Sequence, residues 1–405
     1  MTTDTSAPPP FDPSAPLAAA PDPWASTDQP SLRAGPPYHM TDMIAAEPHL
    51  AARLLDRLAR PDSGAAALAG AVAEAATAGQ SIVVTGCGTS EHGAIGVAAI
   101  LRDGLRRSGR VVGPGTVVAA QAFEAALDPQ PGGLVIGVSH EGGTAATNRS
   151  LEAARAAGAH VAIITVTGRS PGGRAADIVV ETDEMDASWC HTIGYLSPLL
   201  AAAAVAGHVA GQPVDGAAAS RLLAAGAAEP ATAEAIAVRL AARSHLIVIA
   251  SGADRAAGRE LVLKIEEAAW VPSAYRDLET FLHGHLPATG ESTGLVLVLA
   301  ARDARVERVA RARGALVAAR GVGIETAAIL AADASAAIPA DLASAGRLIV
   351  PEAPELPAPV AALLGTATAL QLLTERIARA RGTNPDPIRR DDPRYAAAAD
   401  AAEGA

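Results

Sequence analysis

Leu134-Val135-Ile136-Gly137-Val138-Ser139-His140-Glu141-Gly142-Gly143-Thr144 reads as a buried strand that breaks into a polar turn just before a helix-forming stretch. Ser81-Ile82-Val83-Val84-Thr85-Gly86-Cys87-Gly88-Thr89-Ser90 has the same form upstream. In each, an apolar run rich in β-branched residues ends in Gly with Ser or Thr. Such a turn aims backbone N–H groups and hydroxyls at whatever lies above the sheet edge. Far downstream, Arg259-Glu260-Leu261-Val262-Leu263-Lys264-Ile265-Glu266-Glu267 reads as helix, with Glu260, Lys264 and Glu267 at i, i+4 and i+7 on one face.

Around these segments, short strands alternate with helices. The pattern predicts helices near 39–58 and 64–78, then strands 81–86, 116–120, 133–138, 160–166 and 177–181, and a closing helix at 192–211. After helices at 216–226 and 230–243 the rhythm restarts with strand 246–250 and helix 254–269. Strand 294–300, helix 303–313, strands at 315–319, 335–338 and 347–350, and a helix at 357–381 complete it. This predicts an α/β protein of two doubly wound parallel-sheet units flanked by helices; one large sheet is the competing arrangement. The expected organisation is a disordered Pro- and Ala-rich tail at 1–36, a first domain at 37–228, a second at 229–383 and a C-terminal tail at 384–405.

Half of the 405 residues are apolar but only 2% are aromatic, so the core should be close-packed small residues. A net charge of −11 argues against nucleic acid or an anionic membrane as partner. Two cysteines, Cys87 and Cys190, form no disulfide framework and suit a reducing cytoplasm. The N-terminus does not read as a signal peptide, and the longest apolar stretch, 199–211, is too short to span a bilayer. The expectation is a soluble cytoplasmic protein.

The first turn has neither the third Gly of a dinucleotide fingerprint nor the Lys of a Walker loop, which argues against a nucleotide-dependent enzyme. Thr89 and Ser90 could simply cap a helix. Two such turns side by side, however, point to a shared polar pocket at the carboxyl edge of a parallel sheet. With these residues quoted, the chain resembles sugar isomerase (SIS) domains, specifically the isomerase half of glucosamine-6-phosphate synthase, over about residues 38–390. The resemblance implies that Cys87, Gly88, Thr89 and Ser90, with Ser139, His140, Glu141 and Thr144, line a sugar-phosphate pocket. No glutaminase domain precedes this region, so glutamine-dependent ammonia transfer is not expected.

Lys264 is the only lysine in the chain, and half of the ten aromatics gather in two short segments. Trp270, Tyr275 and Phe281 precede His283 and His285, while Trp189 and Tyr195 flank Cys190 and His191; such clusters suit the walls of a sugar pocket. Aldose–ketose interconversion needs a base that moves a proton between adjacent carbons and an acid that opens the ring. The resemblance assigns Glu267 as base, His283 from a neighbouring subunit as ring-opening acid/base, Lys264 as electrostatic support and Glu260 as a matching position. Lys264 could equally just pair with Glu260. His191 is either a sugar contact or a helix cap, and His140 either donates to substrate or sits exposed.

Two departures stand out. Glu141 replaces the family's second Ser, and a carboxylate facing a phosphate dianion would be repelled. Either Glu141 points away, or a cation or a hydroxyl-rich sugar end occupies the site. No lysine follows Lys264, so Schiff-base chemistry from the C-terminal tail is not expected, though Arg389 or Arg390 could cover the pocket. His283 and His285 lack further ligands at suitable spacing, and neither metal nor organic cofactor is expected. The reading is a homodimeric sugar aldose–ketose isomerase or amino-sugar deaminase/isomerase with shared active sites; the alternative is a noncatalytic sugar-binding regulator.

Overall fold

The apolar runs pair in parallel into two separate five-stranded sheets, in a computed structural model that describes residues 10–27 and 30–403. The first unit opens with helices α1 (His39–Leu58) and α2 (Gly64–Thr77). It continues through β1 (Ile82–Gly86), α3 (Thr89–Arg107), β2 (Val117–Gln121), α4 (Ala122–Leu127), β3 (Leu134–Val138) and α5 (Ala145–Ala156). Then come β4 (His160–Thr165), α6 (Pro171–Ala175), β5 (Ile178–Glu181) and α7 (Ile193–Ala210). Helices α8 (Gly216–Gly226) and α9 (Pro230–Ala241) lead into β6 (His245–Ala250), α10 (Asp254–Ala269), β7 (Ser273–Asp277) and α11 (Leu278–Thr280). The second unit finishes with β8 (Thr293–Leu299), α12 (Arg305–Gly321), β9 (Glu325–Ala331), α13 (Ala332–Ala337), β10 (Gly346–Val350), α14 (Ala358–Arg381) and α15 (Pro393–Glu403).

The strand orders are β2-β1-β3-β4-β5 and β7-β6-β8-β9-β10, the same doubly wound topology twice. In each, the chain leaves the first strand to one side and returns on the other, opening a crevice at the carboxyl ends of the first and third strands. Register aligns Ile82 with both Val117 and Leu134, bringing the β1 and β3 turns to one edge.

Alternation divides each strand between two cores. Ile82, Val84, Leu246 and Val248 face a central core shared by both units, built with α3, α7 and α14. Val83, Val135 and Val161 pack outward against Leu151, and Ile247, Ile249 and Leu295 pack outward against Leu316. The small-residue composition permits tight helix contact: a Cβ on Gly104 of α3 would lie 2.7 Å from Ala206 Cβ of α7. Helix α7 is long and apolar enough to cross a membrane by length and composition, yet 83% of it is buried inside the protein.

Several expectations need correction. The strand expected at 315–319 is the second half of α12, because Ala312, Ala315, Leu316 and Ala319 form a helical stripe on the outer core. The one expected at 335–338 falls on α13 and the residue after it, while the Ala-rich β9 was missed because it lacks a β-branched pattern. Edge strand β7 (Ser-Ala-Tyr-Arg-Asp) is half-buried throughout and too polar to read as a strand. Nor is the N-terminal segment a disordered tail over the described residues 10–27 and 30–36. Leu17 N–H donates to Glu184 (2.8 Å), Ala19 bridges Glu184, and Asp22 pairs with Arg169. Residues 1–9, 28 and 29 lie outside the described residues.

Candidate active site

The first helix after the β6 strand of the second unit packs against the β1 turn of the first. Helix α10 lies along α3 and presents its charged face to the β1 turn. Thr89 Oγ1 donates to Glu260 Oε1 (3.1 Å), and His92 Nδ1 lies 2.8 Å from Glu260 Oε2. Lys264 Nζ is 3.5 Å from Glu260 and 2.6 Å from Glu267. Glu260 and Lys264 are fully buried, while Glu267 keeps 21% of its side chain exposed, so its carboxylate is the open end of the row. Burial opposes the charge on Glu260, but Lys264 and then His92 outweigh it and hold the carboxyl below its ordinary value. Burial also opposes the charge on Lys264, and Glu267 foremost, with Glu260, raises its pKa well above the ordinary lysine value. Lys264 therefore pairs with both glutamates; the simple Glu260 pair is the longer of its two contacts.

Gly88 (φ +57°) begins α3, and Ser90 lies half-buried beside it. Thr89 spends its hydroxyl on Glu260 rather than on a helix cap. Cys87 Sγ sits 3.8 Å from Gln121 Nε2, and burial keeps it a protonated thiol. In the β3 turn, Ser139 accepts from Gly142 N–H (3.2 Å) and lies 3.3 Å from Thr144 Oγ1. Gly142 (φ +70°) cannot carry a side chain, since a Cβ would overlap Ser170 Oγ.

His140 does not sit exposed. Its Nε2 accepts Asp186 N–H (2.9 Å), and burial, followed by the neighbouring His191, pushes its pKa down to about 3. It is therefore neutral, with the proton on Nδ1, a buried atom with no protein partner among the described residues. The His191 ring stands 5.2 Å away. Burial would push His191 down, but the Asp186 carboxylate, 3.7 Å from its Nδ1, raises its pKa above the ordinary imidazole value, with a contribution from Glu267. Asp186 in turn accepts Ser188, Thr192 and Gly194 N–H groups at 3.0, 2.7 and 3.2 Å, so it, not His191, caps α7.

Glu141 turns toward its own N-terminal segment. It accepts Thr27 N–H (3.0 Å) and the Thr27 hydroxyl, while the Trp24 ring covers Gly143. Burial raises its pKa despite the Thr27 amide and His191. The partners of Glu141 are thus supplied by Thr27 of the same chain. The C-terminal tail flanks the other rim. Asp386 accepts His39 and Met40 N–H at the start of α1 (2.8 and 2.9 Å). Arg389 stacks on Trp270 at 4.5 Å and Arg390 on Trp189 at 4.9 Å.

His283 does not join this site within one chain. It is 71% exposed, paired with Glu279 at 2.7 Å on the edge of the second unit. Residues that sequence reasoning missed are His92, Asp186, Thr27 and Trp24. His92 was findable, three residues after Thr89 on the same helical face. The others depend on long-range packing. No group of three or more metal-ligating side chains occurs among the described residues.

Residues 76–206 match the SIS domain model. The fold is shared with the C-terminal domain of glucosamine-fructose-6-phosphate aminotransferase from Francisella tularensis. That match has a TM-score of 0.73 and 17% identity, covering 88% of this chain and 99% of that one. Tagatose-6-phosphate ketose/aldose isomerase from Escherichia coli gives 0.68 at 16% identity, with 89% and 97% covered. Glucosamine-6-phosphate deaminase from Thermotoga maritima gives 0.55 at 17%, with 76% and 87% covered. No curated protein matches the sequence.

Proposed function

We propose that this chain binds a sugar or sugar derivative in the β1/β3 crevice and moves a proton between adjacent carbons, as an aldose–ketose isomerase or amino-sugar deaminase/isomerase. The observation that carries this reading is Glu267: a partly open carboxylate, 2.6 Å from a fully buried ammonium, on the helix that packs against the β1 turn. In this scheme Glu267 takes the proton from the carbon next to the carbonyl, and Lys264 stabilises the developing enediolate. Glu260 holds Lys264 and Thr89 in register. Neutral His140 offers Nδ1–H to a ligand oxygen, and His283 reaches the site from a partner subunit as ring-opening acid. Solved structures named as an isomerase, an aminotransferase and a deaminase share this fold and support the reaction class. The two free thiols suit a cytoplasmic setting.

The test incubates aldoses, ketoses and amino sugars, with and without phosphate, in deuterated water. Deuterium should appear next to the carbonyl and be lost in Glu267→Gln. Binding without exchange would favour a second reading, a noncatalytic sugar-binding protein, whose support is that His283 stands exposed and paired elsewhere.

A further inference from the structure

The described N-terminal segment crosses the carboxyl edge of the first sheet strand by strand. Just past β5, Leu17 N–H donates to Glu184 (2.8 Å) and Met185 N–H to the Ala18 carbonyl (2.8 Å). Past β4, Arg169 donates to the Ala20 carbonyl (3.0 Å) and pairs with Asp22 at 2.8 Å. Past β3, Trp24 lies over Gly143, and Thr27 engages both carboxylate oxygens of Glu141. We propose that Trp24, Thr27 and Glu141 are specificity-determining residues that close the β3 turn to phosphate, so that the ligand end seated there is unphosphorylated and hydroxyl-bearing. This rests on the reading of the β1/β3 crevice as a sugar site.

Without that segment and Glu141, the turn would suit an anion. Helix α5 has 12 residues, and its N-cap Thr144 makes no side-chain cap bond. The Ser139 and Thr144 hydroxyls stand beside it, 3.3 Å apart. Each attraction is met or opposed. The Trp24 ring comes within 3.4 Å of where a Gly143 Cβ would stand, so an apolar ring fills that face of the turn. Glu141 places a carboxylate in the turn itself, and an ionised carboxylate repels a phosphate dianion more strongly away from bulk water. The nearby cations are already engaged, Arg169 by Asp22 and His191 by Asp186. A neutral polyol meets no such repulsion. Its hydroxyls can donate to Glu141 and bond with Ser139 and Thr144.

The segment is a built wall. Glu184, which anchors Leu17, is itself held by Arg53 at 3.1 and 2.8 Å. Trp24 packs against buried Ala20, Val166 and Met185. Admitting phosphate would pull the ring from these side chains and strip Glu141 of its Thr27 donors.

The experiment titrates inorganic phosphate into the full ¹⁵N-labelled chain at pH 8, to keep Glu141 ionised, and follows the amide signals of Gly142, Gly143 and Thr144. No saturable shifts are expected in the native protein. Trp24→Ala/Glu141→Ser, which opens the turn and removes its charge, should show saturable shifts at these amides. If that variant loses the dispersed spectrum of a folded chain, Asp22→Asn/Thr27→Val loosens the same segment while keeping the ring, and carries the same expectation. Saturable shifts at these amides in the native protein overturn the proposal whatever the variants do. So does a folded variant that still gives none. Neither outcome involves Glu267, so a failed deuterium-exchange assay would reject the isomerase reading and leave this result untouched.

Discussion

Replacing Lys264 by Met tests the physical basis of the site directly. The ammonium is fully buried and serves two carboxylates, at 3.5 and 2.6 Å. Glu267 can recover solvent when the cation is lost, because its side chain is partly exposed, whereas Glu260 cannot. Removing one partner of a buried pair costs about 3–5 kcal/mol. That lowers Tm by roughly 4–6 °C if the chain melts as one unit, or roughly 6–20 °C if each half melts separately. A pH signature should accompany it. Without Lys264, burial raises the Glu260 pKa above its unfolded value, so the folded state binds more protons and stability increases as pH falls toward that range. The native protein behaves oppositely: Glu260 is depressed, and its contribution, present above its unfolded value, is lost as pH falls through the lowered folded value. Adding Glu260→Gln to Lys264→Met removes the stranded charge and should recover most of the loss, since Gln can still meet Thr89 and His92. Thermal and urea unfolding at pH 7 and pH 5 measure all of this. A cost below about 1 kcal/mol for Lys264→Met, as for a surface pair, would refute the buried-cation account.

Mixing Glu267→Gln with His283→Asn subunits should restore deuterium exchange to about a quarter of the native rate if each site takes its histidine from the partner of a dimer; no recovery after subunit exchange rejects the shared site. Glu141→Ser removes the charged acceptor of Thr27, so Thr27 amide exchange should accelerate about tenfold or more. The same substitution should tighten phosphosugar binding, and unchanged Kd would show that Glu141 does not act on the ligand. Asp186→Asn should cost about 1–3 kcal/mol, since three backbone amides lose a charged acceptor. Burial raises the Asp186 pKa, but His191 and the amides hold it below its ordinary value. The loss should therefore be full at neutral pH and shrink as acid protonates the native residue, as read from Tm against pH.

Local pattern made much of this protein legible. Apolar runs of strand length between helices specify doubly covered parallel sheets, because each strand must satisfy its backbone with neighbours and bury both faces. The two turns and the α10 charge ladder were readable because each is encoded within a few consecutive residues. Where side-chain patterning was weak, in the Ala-rich β9 and the polar edge strand β7, tertiary pairing decided the conformation.

Only the packed chain decided which charges meet. Glu260 reaches Thr89 and His92 across nearly half the sequence, because α10 of one unit packs against α3 of the other. Asp186 finds His140 and His191 only when β3, β5 and α7 converge. Thr27 belongs to a segment whose composition suggests disorder, yet it lies on Glu141 because that carboxylate, half-withdrawn from water, needs donors wherever the fold can bring them.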